Sequence, residues 1–138
     1  MLAHALCIAC ALPLACAHAQ PTRNLHPGPL PAEFRGCDAA GSCHFVFETS
    51  VLPAVPPHRV RPDGVPHGAP DDIVAIAVRD RLNALMSSMI HQHKRIVLHD
   101  LRALGDGSLA ARITVNEADV ARDPVLLELG QRVAGTGQ

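Results

Sequence analysis

The amino-acid sequence predicts a small single α+β domain with the order β-α-β-β-α, whose helices pack on one face of an antiparallel or mixed sheet. Two patterns support this prediction. A helical apolar stripe begins just after Pro70, and an alternating hairpin pattern follows it between residues 95 and 115. An aromatic and β-branched run near residue 45 adds a first strand, and an apolar run near residue 125 adds a last helix.

The first strand is expected at 44–51, and the first helix begins after Pro70 with Asp71 or Asp72 as its N-cap. The apolar pattern of this helix continues for about twenty residues. Its expected buried stripe consists of Val74, Val78, Leu82, Leu85 and Met89. Its expected solvent-facing side consists of Arg79, Asp80, Asn83, Ser87 and His91.

The second half of the chain predicts a hairpin followed by a short helix. Strands at 95–103 and 109–115 flank a glycine-containing turn at 105–107. Pro124 suits the first position of a helix, and Gly135 ends that helix. The hairpin has one clearly apolar face on its second strand, which indicates that this face is buried.

The domain organisation follows from changes in composition along the chain. Residues 1–19 are expected to be a signal peptide, and the Pro-rich residues 20–36 a flexible arm. The domain itself is expected at 37–134, with a long Pro-rich loop at 53–70 and a frayed end at 135–138.

The predicted signal peptide rests on an uncharged, apolar N-terminus. Residues 2–12 are almost entirely apolar, and 17–19 have the small-x-small pattern that signal peptidase needs before Gln20. The run is short for a membrane span, and a basic n-region is missing. An uncleaved anchor and a lipoprotein modified at Cys16 are the alternatives. We therefore expect an exported protein, periplasmic or secreted, with no stable membrane span after cleavage.

The cysteines agree with export. After cleavage the chain keeps Cys37 and Cys43, an even number, as expected in an oxidising compartment. Their Cys-x5-Cys spacing predicts a disulfide that closes a small loop. The spacing is not that of a Cys-x-x-Cys redox motif, and two cysteines alone cannot form a complete structural zinc site.

Charge and composition argue against several classes of function. The net charge is −1 and no segment is densely basic, so nucleic acid and anionic membranes are not expected as partners. The chain has no Trp or Tyr, which leaves few side chains for stacking on bases or sugars. No phosphate-binding or dinucleotide-binding glycine motif is present.

One string of side chains suggests a metal site. The candidate ligands are Met86, His91, His93 and His99. Thioether and imidazole groups suit copper, which is the cofactor of this alternative hypothesis. In a continuous helix His91 and His93 point about 200° apart, so they converge only if the chain is extended there. The simpler interpretation is a core methionine with surface histidines and no cofactor.

The preferred hypothesis is a non-enzymatic protein that acts by binding or assembly with an unknown protein partner. A small α+β domain of this kind offers a sheet edge or face to which a partner strand can add. An exported hydrolase is the third hypothesis. It would use Ser87 and His91 on one helix face, with Asp100 as the orienting carboxylate. No Gly-x-Ser-x-Gly motif supports it, so an enzyme is the less favoured interpretation.

Overall fold

The computed structural model describes residues 22–66, 72–88 and 92–136, which form one mixed sheet and two helices. The helices are α1 (Ile73–Met86) and α2 (Pro124–Thr136), and a 3-10 turn at Val120–Arg122 precedes α2. The strands are β1 (Arg23–His26), β2 (Leu30–Pro31), β3 (Glu33–Cys37), β4 (Cys43–Val46), β5 (His58–Pro62), β6 (Ile96–Ala103), β7 (Leu109–Val115) and β8 (Ala118–Asp119). The predicted α+β class is confirmed.

One continuous segment closes the sheet into a ring. β2 pairs antiparallel with β6, and β3, which starts two residues after β2 ends, pairs antiparallel with β4. The ring continues through β4–β5, β5–β7 and β7–β6, of which β5–β7 is parallel. With 30–37 counted as one strand, this is the connectivity of a five-stranded Greek-key barrel of the OB type. Such connectivity defines architecture, and function has to be argued from a site.

The expected flexible arm is instead part of the sheet. Residues 23–37 form β1, β2 and β3, and β5 lies inside the expected loop at 53–70. Within residues 22–66, the prolines that suggested irregular chain stand at strand ends or between strands, where a missing N–H costs no ladder hydrogen bond. Pro31 ends β2 and Pro62 ends β5. Because of this Pro-rich composition, the sequence analysis missed four strands: β1, β2, β3 and β5.

Helix α1 packs its apolar face into the open end of the barrel. Its buried residues are Ala75, Val78, Leu82 and Met86. The Asp72 side chain accepts a hydrogen bond from the Val74 N–H at 3.0 Å, which identifies the N-cap among the two candidates. The helix ends at Met86 and is shorter than predicted. Met86 is fully buried, and Met89, which was expected in the buried stripe, lies outside the described residues.

The core lies inside the ring and beneath both helices. Its largest fully buried side chains are Phe45, Leu82, Met86, Leu98, Leu101, Ile113 and Leu126. The predicted hairpin is present as β6 and β7, paired antiparallel from Ile96↔Val115 to Ala103↔Leu109. The predicted disulfide joins Cys37 to Cys43, directly opposite each other on β3 and β4.

Candidate functional site

A groove separates β3 from the C-terminal end of α1. It has a volume of about 890 Å³ and opens to solvent. One wall is the backbone of β3, and the other is the last turn of α1 with the residues that lead into β6. The side chains that matter below are Phe34, Asn83, Met86, Ser87, His93 and Lys94.

The groove lies where the end of α1 and the chain before β6 meet β3. The Ala32 N–H donates to the Ile96 carbonyl at 3.1 Å, and this is where β6 begins. The ammonium group of Lys94 donates instead to the carbonyls of Ala84 and Leu85, at 3.0 and 2.9 Å, which end α1. These carbonyls have no partner within the helix, so a cation is favourable there. Lys94 therefore satisfies carbonyl groups in the last turn of α1.

The other end of the groove is closed by Asn83. Its Oδ1 accepts a hydrogen bond from the Cys37 N–H at 3.0 Å. The sequence analysis placed Asn83 on the solvent-facing side of α1. That expectation is wrong, because the Asn83 side chain is directed at β3 and accepts this hydrogen bond. Between Ala32 and Cys37 the edge of β3 faces the groove over residues 33–36. Among the described strands none pairs with this edge, while Gln92, next to the groove residue His93, takes part in a single β-bridge.

The Phe34 backbone points into the groove. Along a strand the N–H groups on one side recur at every second residue, so Phe34 N–H lies on the same side as Ala32 N–H. A bulge between Phe34 and Gly36 inserts one residue into the pattern. The N–H of Cys37 therefore returns to the groove side, where Asn83 accepts it. Both backbone polar groups of Phe34 are consequently directed at the groove.

The predicted metal ligands occupy different surroundings. Met86 is fully buried at the inner wall of the groove, and His93 is exposed at its rim. His99 lies on β6, where its Nε2 is 3.0 Å from the Thr114 hydroxyl. His91 falls outside the described residues. Among residues 22–66, 72–88 and 92–136 no three His, Cys, Asp or Glu side chains form a metal-binding cluster.

The helix geometry that the hydrolase hypothesis assumed for Ser87 is not present. Ser87 follows the end of α1 with an extended backbone, φ −71° and ψ 135°, so it does not share a helix face with any later residue. The expected pairing with His91 assumed that the helix continued. Asp100 lies at an irregularity in β6 with φ 55°.

A second polar cluster lies at the disulfide loop. The Asp38 carboxylate accepts hydrogen bonds from the N–H groups of Ala40 and Ser42, at 2.9 and 3.2 Å. It also lies 3.3 Å from both His44 Nε2 and Arg59 Nη2. Partial burial opposes ionisation of Asp38, but the bonds from Ser42 and His44 and the attraction of Arg59 outweigh it and lower its pKa. This carboxylate therefore organises the loop and balances the charge of Arg59.

Comparison of the chain with protein-family models, with curated proteins and with solved structures found no match. The geometry of the groove is therefore what indicates function. Within the described ranges, no helix has the length and apolar character needed to cross a bilayer.

Proposed function

We propose that this protein is exported and acts without catalysis, by binding an extended segment of a partner protein along the edge of β3. The observation that carries the proposal is the solvent-open groove along β3, toward which the alternation of the strand directs the N–H and C=O of Phe34. A strand edge of this kind is a template for β-strand addition, in which backbone hydrogen bonds supply affinity.

The edge is short and held at both ends. Residues 33–36 span about 13 Å at the rise of a strand, enough for three or four residues of a partner. Ala32 is fixed to β6 and Cys37 to Asn83, so the edge is already in the conformation that a partner strand needs. A preformed site of this kind avoids part of the ordering cost of binding.

Export to the periplasm or the outside of the cell is part of the same proposal. The apolar N-terminal segment supports it, and so does the disulfide between Cys37 and Cys43, because such bonds persist in oxidising compartments. Exported partners with unstructured segments are then the class of ligand that this edge would meet.

Selection of peptides from a random display library tests the proposal. We expect enriched peptides to bind with micromolar affinity and to slow hydrogen exchange of the Phe34 amide. Methylation of alternate backbone nitrogens in a selected peptide should abolish binding, because it removes the hydrogen-bond donors that pair with β3. Ser87→Trp should fill the groove and weaken binding at least tenfold, since Ser87 is exposed and lines it.

Ser50→Trp is the matched control, because Ser50 is also exposed but is not among the residues that line the groove. Its affinity for the selected peptides should equal that of the unaltered protein. Three results contradict the proposal: no enrichment, binding that tolerates backbone methylation, or binding with no protection of the Phe34 amide.

Copper binding is a second candidate, because Met86 and His93 both line the groove. Native mass spectrometry of the exported protein with Cu(I) measures the stoichiometry directly. One tightly bound ion that is lost in His93→Ala would support this function. Uptake that is unchanged in His93→Ala would contradict it.

A further inference from the structure

We infer that a pocket beside the start of β5 binds a phosphate group of a small molecule through Arg59 and Arg61. The pocket lies between β5, the start of β4 and the turn that joins β6 to β7, so it is separate from the groove along β3 and the inference does not depend on strand addition. Its volume of about 410 Å³ suits a small ligand. Its described lining includes Ser42, Arg59, Arg61 and Ser108 and contains no Asp or Glu.

Strand alternation brings the two arginines to the same side of β5. Val60 between them is fully buried in the core, so Arg59 and Arg61 project from the opposite, outward face. Residues two apart in a strand have Cα atoms roughly 6–7 Å from each other. Two long side chains that start at this spacing can both reach one small anion in the pocket that they line.

Arg59 is oriented by the disulfide loop. Its Nη2 lies 3.3 Å from Asp38 Oδ2. The same carboxylate also accepts hydrogen bonds from the N–H groups of Ala40 and Ser42. The contact with Asp38 engages one nitrogen of the guanidinium group, and no described residue accepts a hydrogen bond from the others. Asp38 therefore positions Arg59 and leaves donors of its fork for a ligand.

Arg61 is the cation without a close counter-charge. It is partly buried, and among the described residues no carboxylate forms an ion pair with it, whereas Arg59 and Arg102 each have one. Asp106 is near Arg61 but is engaged in its own turn, where its Oδ1 accepts from the N–H and hydroxyl of Ser108 at 2.9 and 2.6 Å. An anionic ligand would supply the missing counter-charge at Arg61.

The donors of this pocket suit a phosphate better than a carboxylate. One guanidinium fork already engages both oxygens of a carboxylate, whereas a phosphate ester offers three oxygens to two forks. The Ser42 hydroxyl adds a further donor at the same pocket. Its backbone is fixed there, because its N–H donates to Asp38 at 3.2 Å and its carbonyl accepts from the Asp38 N–H at 2.8 Å.

Titration of the full protein with glycerol phosphate, inorganic phosphate and acetate at constant ionic strength tests the inference. The readout is the NMR shifts of the Ser42 and Arg61 amides and of the Arg61 Nε–H. We expect saturable binding of both phosphates with a Kd in the millimolar range or below, and acetate at least tenfold weaker. Tighter binding of glycerol phosphate would identify an ester as the ligand, and equal binding would identify free phosphate; both support phosphate recognition.

Arg61→Gln and Arg59→Gln should each weaken phosphate binding roughly tenfold or more, because each removes a charge-assisted contact. Arg95→Gln is the matched control, since Arg95 is exposed, is not among the residues that line the pocket and loses the same charge. Its affinity for phosphate should stay within about twofold of that of the unaltered protein, because salt screens a distant charge.

Four results would overturn the inference. They are the absence of saturable shifts, acetate binding as tight as phosphate binding, an equal loss of affinity in Arg95→Gln, and a single-stranded oligonucleotide that binds the pocket more tightly than glycerol phosphate. The last result would assign the two arginines to a polymer.

Discussion

Arg81 on α1 and Asp123 at the start of α2 form a two-point ion pair. Arg81 Nε lies 2.8 Å from Asp123 Oδ2, and Nη2 lies 2.7 Å from Oδ1. The Asp123 side chain is only 9% exposed and also accepts from the Leu126 N–H at 3.2 Å. The hydrogen bond from Arg81 lowers the pKa of Asp123. One carboxylate thus joins the two helices and caps the second.

Asp123→Asn should therefore lower the free energy of unfolding by roughly 1–3 kcal/mol, because it removes charge-assisted hydrogen bonds at a mostly buried position. Urea denaturation measures the change. The matched control is Arg132→Gln, which breaks an exposed pair with Glu128 and should cost less than about 0.5 kcal/mol. Equal losses of unfolding free energy in the two variants would show that the Arg81–Asp123 pair stabilises the fold no more than an exposed ion pair does.

Asn83→Ala should destabilise the fold by roughly 1–2 kcal/mol, since it leaves the Cys37 N–H without its acceptor. Asn83→Asp keeps an acceptor oxygen and should lose less. Asn24→Ala, at an exposed position of β1, is the control and should change stability by under about 0.5 kcal/mol. An unchanged unfolding midpoint in Asn83→Ala would mean that the end of the groove is not held by this bond.

Gly64→Ala should be destabilising for two reasons. Gly64 has φ +75°, and a Cβ there would lie 3.0 Å from the Ala121 Cβ. Strain and crowding together should cost roughly 1–3 kcal/mol. Gly28→Ala is the control, because a Cβ at Gly28 meets no atom within 4 Å. Thermal unfolding that ranks Gly28→Ala as the less stable variant would contradict the geometry of the turn after β5.

The pH dependence of stability should contain a contribution from His99. Partial burial and the nearby charge of Arg112 lower its pKa below 6.5, and the weaker opposing attraction of Asp100 and Asp119 does not reverse this. The folded state therefore favours neutral His99. Its contribution is complete above pH 6.5 and declines as the pH falls below 6.5, because the unfolded chain then binds the proton more readily.

Unfolding measured at about pH 7.5 and about pH 5.5, on either side of the ordinary histidine pKa, checks this expectation. The loss of stability between these values should be smaller in His99→Asn than in the unaltered protein. Parallel losses in both proteins would assign the pH dependence to other groups.

Reduction of the disulfide should lower the free energy of unfolding by about 2 kcal/mol, the value that the chain-entropy model gives for so short a loop. The comparison is made by denaturation with and without reductant. The double variant Cys37→Ala, Cys43→Ala should be insensitive to reductant. If the unaltered protein is equally insensitive, the Asp38 hydrogen bonds hold the loop without the covalent link.

The elements predicted correctly are those that a short stretch of sequence specifies by itself. The hairpin of β6 and β7 and the start of α1 at Asp72 followed from alternation, turn residues and capping. The strands at 23–37 were missed because proline composition dominates that stretch. Their existence depends on pairing with β4 and β6, which no short window of sequence contains.

The groove could not be predicted for the same reason. It depends on the Lys94 side chain reaching the end of α1, and on a bulge in β3 that returns the Cys37 N–H to the groove side, where Asn83 accepts it. Both are consequences of register between segments that lie far apart in the chain. The sequence analysis named Met86 and His93 as candidate metal ligands, and both line the groove. Met86 is buried in the core and His93 is exposed.

The segment 30–37 bonds to β6 with its first residues and to β4 with its last. During synthesis, the segment 30–37 emerges before its partner β6, which follows only after α1. Ring closure must then wait until β6 has been made, and the large sequence separation between the paired segments adds to the contact order, which slows folding. Until closure, the apolar interior would be accessible from the side, and the newly made chain would be most vulnerable to proteases and to aggregation in that interval.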